Sequence, residues 1–158
     1  MCILRPAGTS AHGHRRGDLR IAADNARFIE AFARIGLVPD GGGAFFLTRL
    51  VGTGKAMEMS MLADEVSGPE AERLGLVNKC VPLAEFEEAT KALAQRLAKG
   101  PTTAYGLIKQ LIYTSAQVDL QASLQLEGEL QDIAFETQDH RNAVEAFLQK
   151  RKPEYTGR

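Results

Sequence analysis

The chain has 158 residues, 44% of them apolar, no tryptophan, and 19 basic against 20 acidic side chains for a formal charge of −1. That is the profile of one ordinary globular domain with enough apolar material for a core, and the charge balance argues against the broad basic footprint of a nucleic-acid binder. Cys2 and Cys80 stand far apart without CxxC spacing, which speaks against a disulfide framework or a zinc site. No apolar run approaches the ~18 residues of a membrane span, and the opening MCILRPAGTSAHGHRR has too short an apolar stretch for a signal peptide, so a cytoplasmic location is expected.

Residues 1–16 show neither helical nor strand period and hold two of the three histidines, which reads as an arm. Leu19, Ile21 and Ala23 then alternate with Arg20, Ala22 and Asp24, predicting a first strand, and 26–29 a second, with Arg20 and Arg27 turned to solvent. Beyond Gly41-Gly42-Gly43 the pattern predicts helices over 44–51 and 55–62, separated by Gly52-Thr53-Gly54. Met57, Met59 and Met61 lie two apart, so they cannot share one helix face, and they are expected to be partly core. Ser67-Gly68-Pro69-Glu70 has the spacing of a capping box ahead of a helix ending at Gly75, and a strand over 76–81 follows.

Leu83, Phe86, Leu93 and Leu97 recur at helical intervals, with Gly100 placed for a C-terminal cap and Pro101 blocking continuation. Three further helices are predicted over 103–114, 120–135 and 139–151, the last with Val144, Phe147 and Leu148 on one side. Strands near the start and helices afterwards make a lopsided α/β chain. Two or three short strands cannot close a core by themselves, and their unpaired edges invite association with another chain.

On residue chemistry alone, Asp40 before three glycines most simply caps the next helix by accepting from its first amides. A phosphate-cradling loop lacks the Lys-Ser/Thr pair at the required spacing. His12, His14 and His140 share no metal-ligand spacing, so no metal is expected, and His140 reads as a surface residue. Phe147 and Lys150 read as a core aromatic and a solvated lysine.

GDLRIAADNARF, GLVPDGGG, LTRLVGTGKAMEM, SGPEAERLGLVNKCVP and AVEAFLQKRKPEY, in that order and spacing from Gly17 to Tyr155, resemble the C-terminal half of the enoyl-CoA hydratase/isomerase (crotonase) family. The resemblance implies a partial ClpP/crotonase-like spiral of ββα turns. Residues 17–82 would be its last turns, 83–158 a helical region for oligomerisation and coenzyme A contact, and 1–16 an atypical arm. Family members assemble as trimers or hexamers and stabilise the enolate of an acyl-CoA thioester with two backbone N–H groups, worth about 3–4 kcal/mol each. One donor belongs to the half that this chain does not match. At the place of the other stands AGTSAHGHRR, where Gly8 matches a glycine but Thr9 falls at the donor position and HGHRR replaces an apolar helix. Burying those charges would cost more than a domain's stability margin, which suggests a reading-frame slip or misplaced start before Gly17.

By the same resemblance Asp40 matches an aspartate that in family isomerases shuttles a proton between carbons of the acyl chain, a task for a single carboxylate. The glutamate pair of the hydratases would fall near His12 and at Phe32, and is absent. An apolar wall of Phe32, Leu37 and Phe45 would favour the neutral acid, whereas a helix N-terminus favours the carboxylate. Phe147 and Lys150 match residues offered to the adenine and phosphates of coenzyme A. The expected function is therefore an isomerase-like acyl-CoA enzyme, with hydratase chemistry less favoured. Coenzyme A enters as part of the substrate, no separate cofactor is needed, and nucleic-acid and membrane partners are not expected. Two alternatives stand beside it: a catalytically silent fragment that keeps only oligomer contacts, and an unrelated helical binding domain.

Overall fold

A computed structural model describes residues 17–158 and, ahead of them, the backbone of a strand at Cys2–Leu4; the rest of the expected arm lies outside the described residues. The chain divides into two units, Met1–Ala92 and Leu93–Arg158.

The first unit is built on a three-stranded sheet. Strand β2, Arg20–Ala23, runs parallel between β1, Cys2–Leu4, and β5, Lys79–Val81. Part of the supposed arm is thus a strand, in register Cys2 to Arg20 and Leu4 to Ala22. A three-residue strand is too short to show a period, which is why the sequence concealed it. Strand β2 does not alternate as expected, because all four of its residues are buried. A central parallel strand is covered on both faces and loses the in-out pattern of a half-exposed one.

Arg20 is the clearest departure from expectation: it is only 7% exposed instead of solvated. Its guanidinium is satisfied internally, with Nε donating to the Leu76 carbonyl at 2.8 Å and Nη1 to the Gly17 carbonyl at 2.6 Å. Its amide donates to Asn78 Oδ1 at 2.8 Å, and the Asn78 amide donates to the Arg20 carbonyl at 2.9 Å. These bonds shape 76–78 as a turn, so the strand expected from residue 76 begins at Lys79. Arg27 is exposed as expected.

The second predicted strand shortens to β3, Arg27–Phe28, paired antiparallel with β4, Val66–Ser67. Helix α1, Gly43–Leu62, is one element broken at Gly52, where φ 77° and ψ 161° leave helical space, so the two predicted helices abut there. Leu47, Ala56 and Met59 from its inner face join Phe28, Val66, Ala71, Leu76 and Val77 in the core. Met59 is buried and Met57 and Met61 are exposed, so the three do not share a face and only Met59 is core.

Helix α2, Gly68–Arg73, is capped by Ser67, whose hydroxyl accepts from the Glu70 amide at 3.4 Å. The Glu70 carboxylate is taken by Arg73 at 2.5 and 2.7 Å, so only half of the expected capping box forms. Helix α3, Phe86–Ala98, follows a 3-10 turn at Leu83–Glu85 and runs across the division between the units.

In the second unit, α4 (Thr102–Ser115), α5 (Leu120–Phe135) and α6 (Gln138–Leu148) match three predicted helices closely. Asp119 and Thr137 cap α5 and α6 through side-chain oxygens, and a 2.7 Å Ser115–Ser123 hydroxyl contact ties α4 to α5. Leu130 and Ala146 are buried, but Ile108, Ile112, Leu120, Leu124 and Ile133 are not. Helix α6 ends three residues earlier than predicted, with Lys150 in the left-handed region at φ 55°. His140 is half-buried and packs edge-on against Phe135, which makes it a structural side chain more than a surface one.

Candidate functional site

The segment from the second strand to α1 is made by turns that bring unlike chemistry to the surface. After Phe28 the chain enters a 3-10 turn, Ala31–Ile35. Gly36 closes it at φ 72°, with amide bonds from Gly36 to the Ala33 carbonyl (3.1 Å) and from Leu37 to the Phe32 carbonyl (3.0 Å). A left-handed residue there is what glycine permits at least cost. Phe32 is half-buried, whereas Ile35, Leu37, Val38 and Phe45 are exposed, Leu37 by 57% and Phe45 by 49%.

Asp40 is exposed at the end of this stretch. The N-cap of α1 is Gly42 at φ 80°, with no side-chain cap bond, and the Asp40 carbonyl accepts from the Gly43 amide at 2.7 Å. The expected capping carboxylate is therefore not the N-cap of this helix. Gly41 and Gly42 both have positive φ, which lets the chain close the turn through its backbone and leaves the cap position without a side chain. Phe45 is pinned from two sides, edge-on to Phe46 with centroids 5.2 Å apart and beneath the Arg49 guanidinium at 3.5 Å. The segment thus carries one exposed carboxylate and several exposed apolar side chains.

Of the predicted site residues, Phe32, Leu37, Asp40 and Phe45 all lie on this one segment of the first unit. Phe147 and Lys150 belong to the second unit, at the end of α6. Phe147 is 81% exposed, so it is not the core aromatic that helical spacing suggests, and Lys150 is exposed too. The Lys150 amide donates to the Phe147 carbonyl at 3.1 Å, which fixes the turn between them.

Two buried carboxylates escaped the sequence reading. Glu30, at the entrance to the 3-10 turn, is 1% exposed, and Asp139, in the first turn of α6, is 2% exposed. No periodicity announces either, because acidic residues before a turn or at a helix start are ordinarily solvated. Asp139 accepts from the Thr156 amide at 2.6 Å, the Thr156 hydroxyl at 3.2 Å and the Gly157 amide at 2.9 Å. Those bonds, the Thr156 amide foremost, hold its carboxyl below the usual carboxylate range against the opposing effect of burial. Burial first, then the charges of Glu72 and Asp24, push the Cys80 thiol up, which disfavours a nucleophilic thiolate. Among the described residues no cluster of His, Cys, Asp and Glu could hold a metal ion, and no helix is long and apolar enough to cross a membrane.

Comparison with known proteins places these features in context. Residues 13–158 match the family described as enoyl-CoA hydratase/isomerase. The 1,2-epoxyphenylacetyl-CoA isomerase of Escherichia coli is 38% identical over 152 residues, 96% of this chain and 58% of that protein. The short-chain-enoyl-CoA hydratase of Clostridium acetobutylicum is 38% identical over 137 residues, covering 87% of this chain and 52% of that one. The crystal structure of an enoyl-CoA hydratase from Bacillus anthracis superposes with a TM-score of 0.86 at 32% identity, over 93% of this chain and 58% of that one. The chain thus spans little more than half the length of the relatives that it matches, and its described part shares their fold.

Proposed function

Because the chain belongs to the enoyl-CoA hydratase/isomerase family, we propose that it acts as the C-terminal part of an acyl-CoA enzyme that shifts a double bond by moving a proton through Asp40. The observation that carries this reading is the placement of Asp40, exposed at the lip of a backbone-closed glycine turn, with α1 capped by Gly42 in its stead. The start of α1 is closed through the backbone, with the Gly43 amide on the Asp40 carbonyl, so a change of charge on the Asp40 carboxylate leaves that bond in place. Removing a proton from one carbon of an enoyl thioester and returning it to another needs one such group, whereas adding water also needs a positioned water. Relatives bear both hydratase and isomerase names, and the absence of the expected glutamate pair, with phenylalanine at position 32, favours the isomerase.

Phe32, Leu37 and Phe45 would flank the acyl chain. Phe147 would stack on the adenine of coenzyme A while Lys150 meets a phosphate. The coenzyme is part of the substrate, and no resident cofactor is required. The exposed apolar side chains of α4 and α5 suit a homo-oligomer, a trimer or hexamer, within the cytoplasm. They also favour the second reading, a silent fragment that keeps only those oligomer contacts.

The test is turnover of a 3-enoyl-CoA by the purified chain, alone and mixed with the N-terminal half of a relative, for wild type and Asp40→Asn. Loss of the proton carrier lowers the rate by about 10²–10⁴-fold, while unfolding midpoints stay together. An Asn variant with near wild-type turnover would remove Asp40 from the chemistry. No turnover in any mixture would favour the silent fragment.

A further inference from the structure

The second unit closes on itself in a way that neither the proton shuttle nor the ligand contacts explain. Asp139 lies in the first turn of α6, and Ala146 lies seven residues on, on the same face of the helix. Both are buried, at 2% and 0% exposure. The chain leaves α6 after Leu148 and doubles back. Near the far end, the Arg151 amide donates to the Ala146 carbonyl at 3.0 Å. At the near end, the Asp139 carboxylate receives the amides of Thr156 and Gly157 and the Thr156 hydroxyl. The Asp139 amide in turn donates to the Arg158 carbonyl at 2.9 Å, and Thr103, at the start of α4, donates its hydroxyl to the Gly157 carbonyl at 2.8 Å.

The span leaves little slack. From residue 139 to 146 the helix rises about 10 Å, while the five residues from 151 to 156 reach at most about 17 Å fully extended and must also stand off the helix. Gly157 completes the fit with φ 77°, and a methyl group there would come 2.5 Å from Thr102 Oγ1. No other residue type would take that place without strain.

We propose that Asp139 and the tail 156–158 form a latch. It holds the exposed turn Phe147–Lys152 in one conformation, and Asp139 is thereby a positioning residue for the ligand phosphate that Lys150 meets. The second half of this statement rests on the coenzyme A reading of Phe147 and Lys150 given above. Tied at both ends of α6, the strap restricts the conformations open to Lys150, Arg151 and Lys152. Without the Asp139 carboxylate, the strap loses three of its bonds and is left with the Arg151–Ala146, Asp139–Arg158 and Thr103–Gly157 contacts, and three cations on a looser chain cost more order when a ligand binds.

The experiment uses the full chain in three forms: wild type, Asp139→Asn and Gly157→Ala. An Asn side chain turns an amide donor toward one of the tail N–H groups that the carboxylate accepts. The Ala variant breaks the same latch through φ and the Thr102 contact, without changing charge or the start of α6, so it serves should the Asn variant fail to fold. Trypsin reads the latch by cutting after Lys150 and Arg151, the bond after Lys152 being shielded by Pro153. Cleavage that requires opening follows the open population, so both variants are expected to be cut there about tenfold faster or more, with unchanged helical circular dichroism. Calorimetry with coenzyme A reads the consequence, an affinity about tenfold weaker in both variants. Cleavage at the wild-type rate in the folded variants overturns the latch. Faster cleavage with unchanged coenzyme A affinity overturns the positioning role. If wild type itself does not bind coenzyme A, the ligand reading falls, and with it the positioning role, while the cleavage rates still decide the latch.

Discussion

Gly68→Ala separates local from tertiary reasoning sharply. Gly68 is the first residue of α2, and its φ is not positive, so local rules favour alanine there. A better helix former with less freedom in the unfolded chain stabilises by about 0.4–1 kcal/mol. The surroundings say the opposite. A methyl on Gly68 would collide with the Ala23 carbonyl oxygen and reach 3.0 Å from Cys80 Sγ and 3.2 Å from the Asp24 carbonyl. The first of these is backbone of the central strand β2, where Ala23 is fully buried, so no side-chain rotation can relieve it. Overpacking of this kind costs about 1–3 kcal/mol. Taken against the local gain, the net expectation is a loss of about 1–2 kcal/mol. Gly54→Ala is the matched control within the same unit: it too lies in a helix without positive φ, but nothing stands within 4 Å of the added methyl. It should stabilise by a few tenths of a kcal/mol to about 1. Urea unfolding followed by circular dichroism reads both as shifts of midpoint at constant slope. A Gly68→Ala chain as stable as wild type would refute the close approach of α2 to β2.

The other predictions concern charge. Arg20→Ala removes the donors to the Leu76 and Gly17 carbonyls and should cost about 2 kcal/mol in the same assay, whereas Arg27→Ala, on an exposed side chain, should change stability by no more than about 0.5 kcal/mol. Asp139 is held below the usual carboxylate range in the folded chain, so its stabilisation is present above the unfolded value of about 3.9 and is lost as pH falls through the folded one. Melting temperatures from pH 6 down to about 2 should therefore show a loss in acid that Asp139→Asn lacks; parallel profiles would deny the carboxylate this role.

Local chemistry was legible wherever it acts within a few residues. The Ser67 cap, the break at Gly52, the end of α3 just ahead of Gly100-Pro101 and the extent of α5 follow from amide geometry and φ preferences that the sequence carries by itself. The lineage was legible as well, because five spaced segments are a one-dimensional record. So was the separation of Met59 from Met57 and Met61, which needs only the pitch of a helix.

What only the tertiary structure decided is the fate of each charge. Arg20 sits in an alternating run that predicts exposure, yet all four residues of β2 are buried, and its guanidinium donates to a carbonyl 56 residues away along the chain as well as to one three residues before it. Asp139 would pass for a solvated acid at a helix start until the tail, 17 and 18 residues further on, returns to it. Gly42, and not the expected Asp40, stands at the N-cap of α1, since the glycines let the backbone close the turn. Phe147 has helical spacing fit for a core and stands in the open. The physical reason is common to all four. Periodicity tells which side chains share a face, but burial depends on what covers that face, and the covering chain is set by contacts distant in sequence.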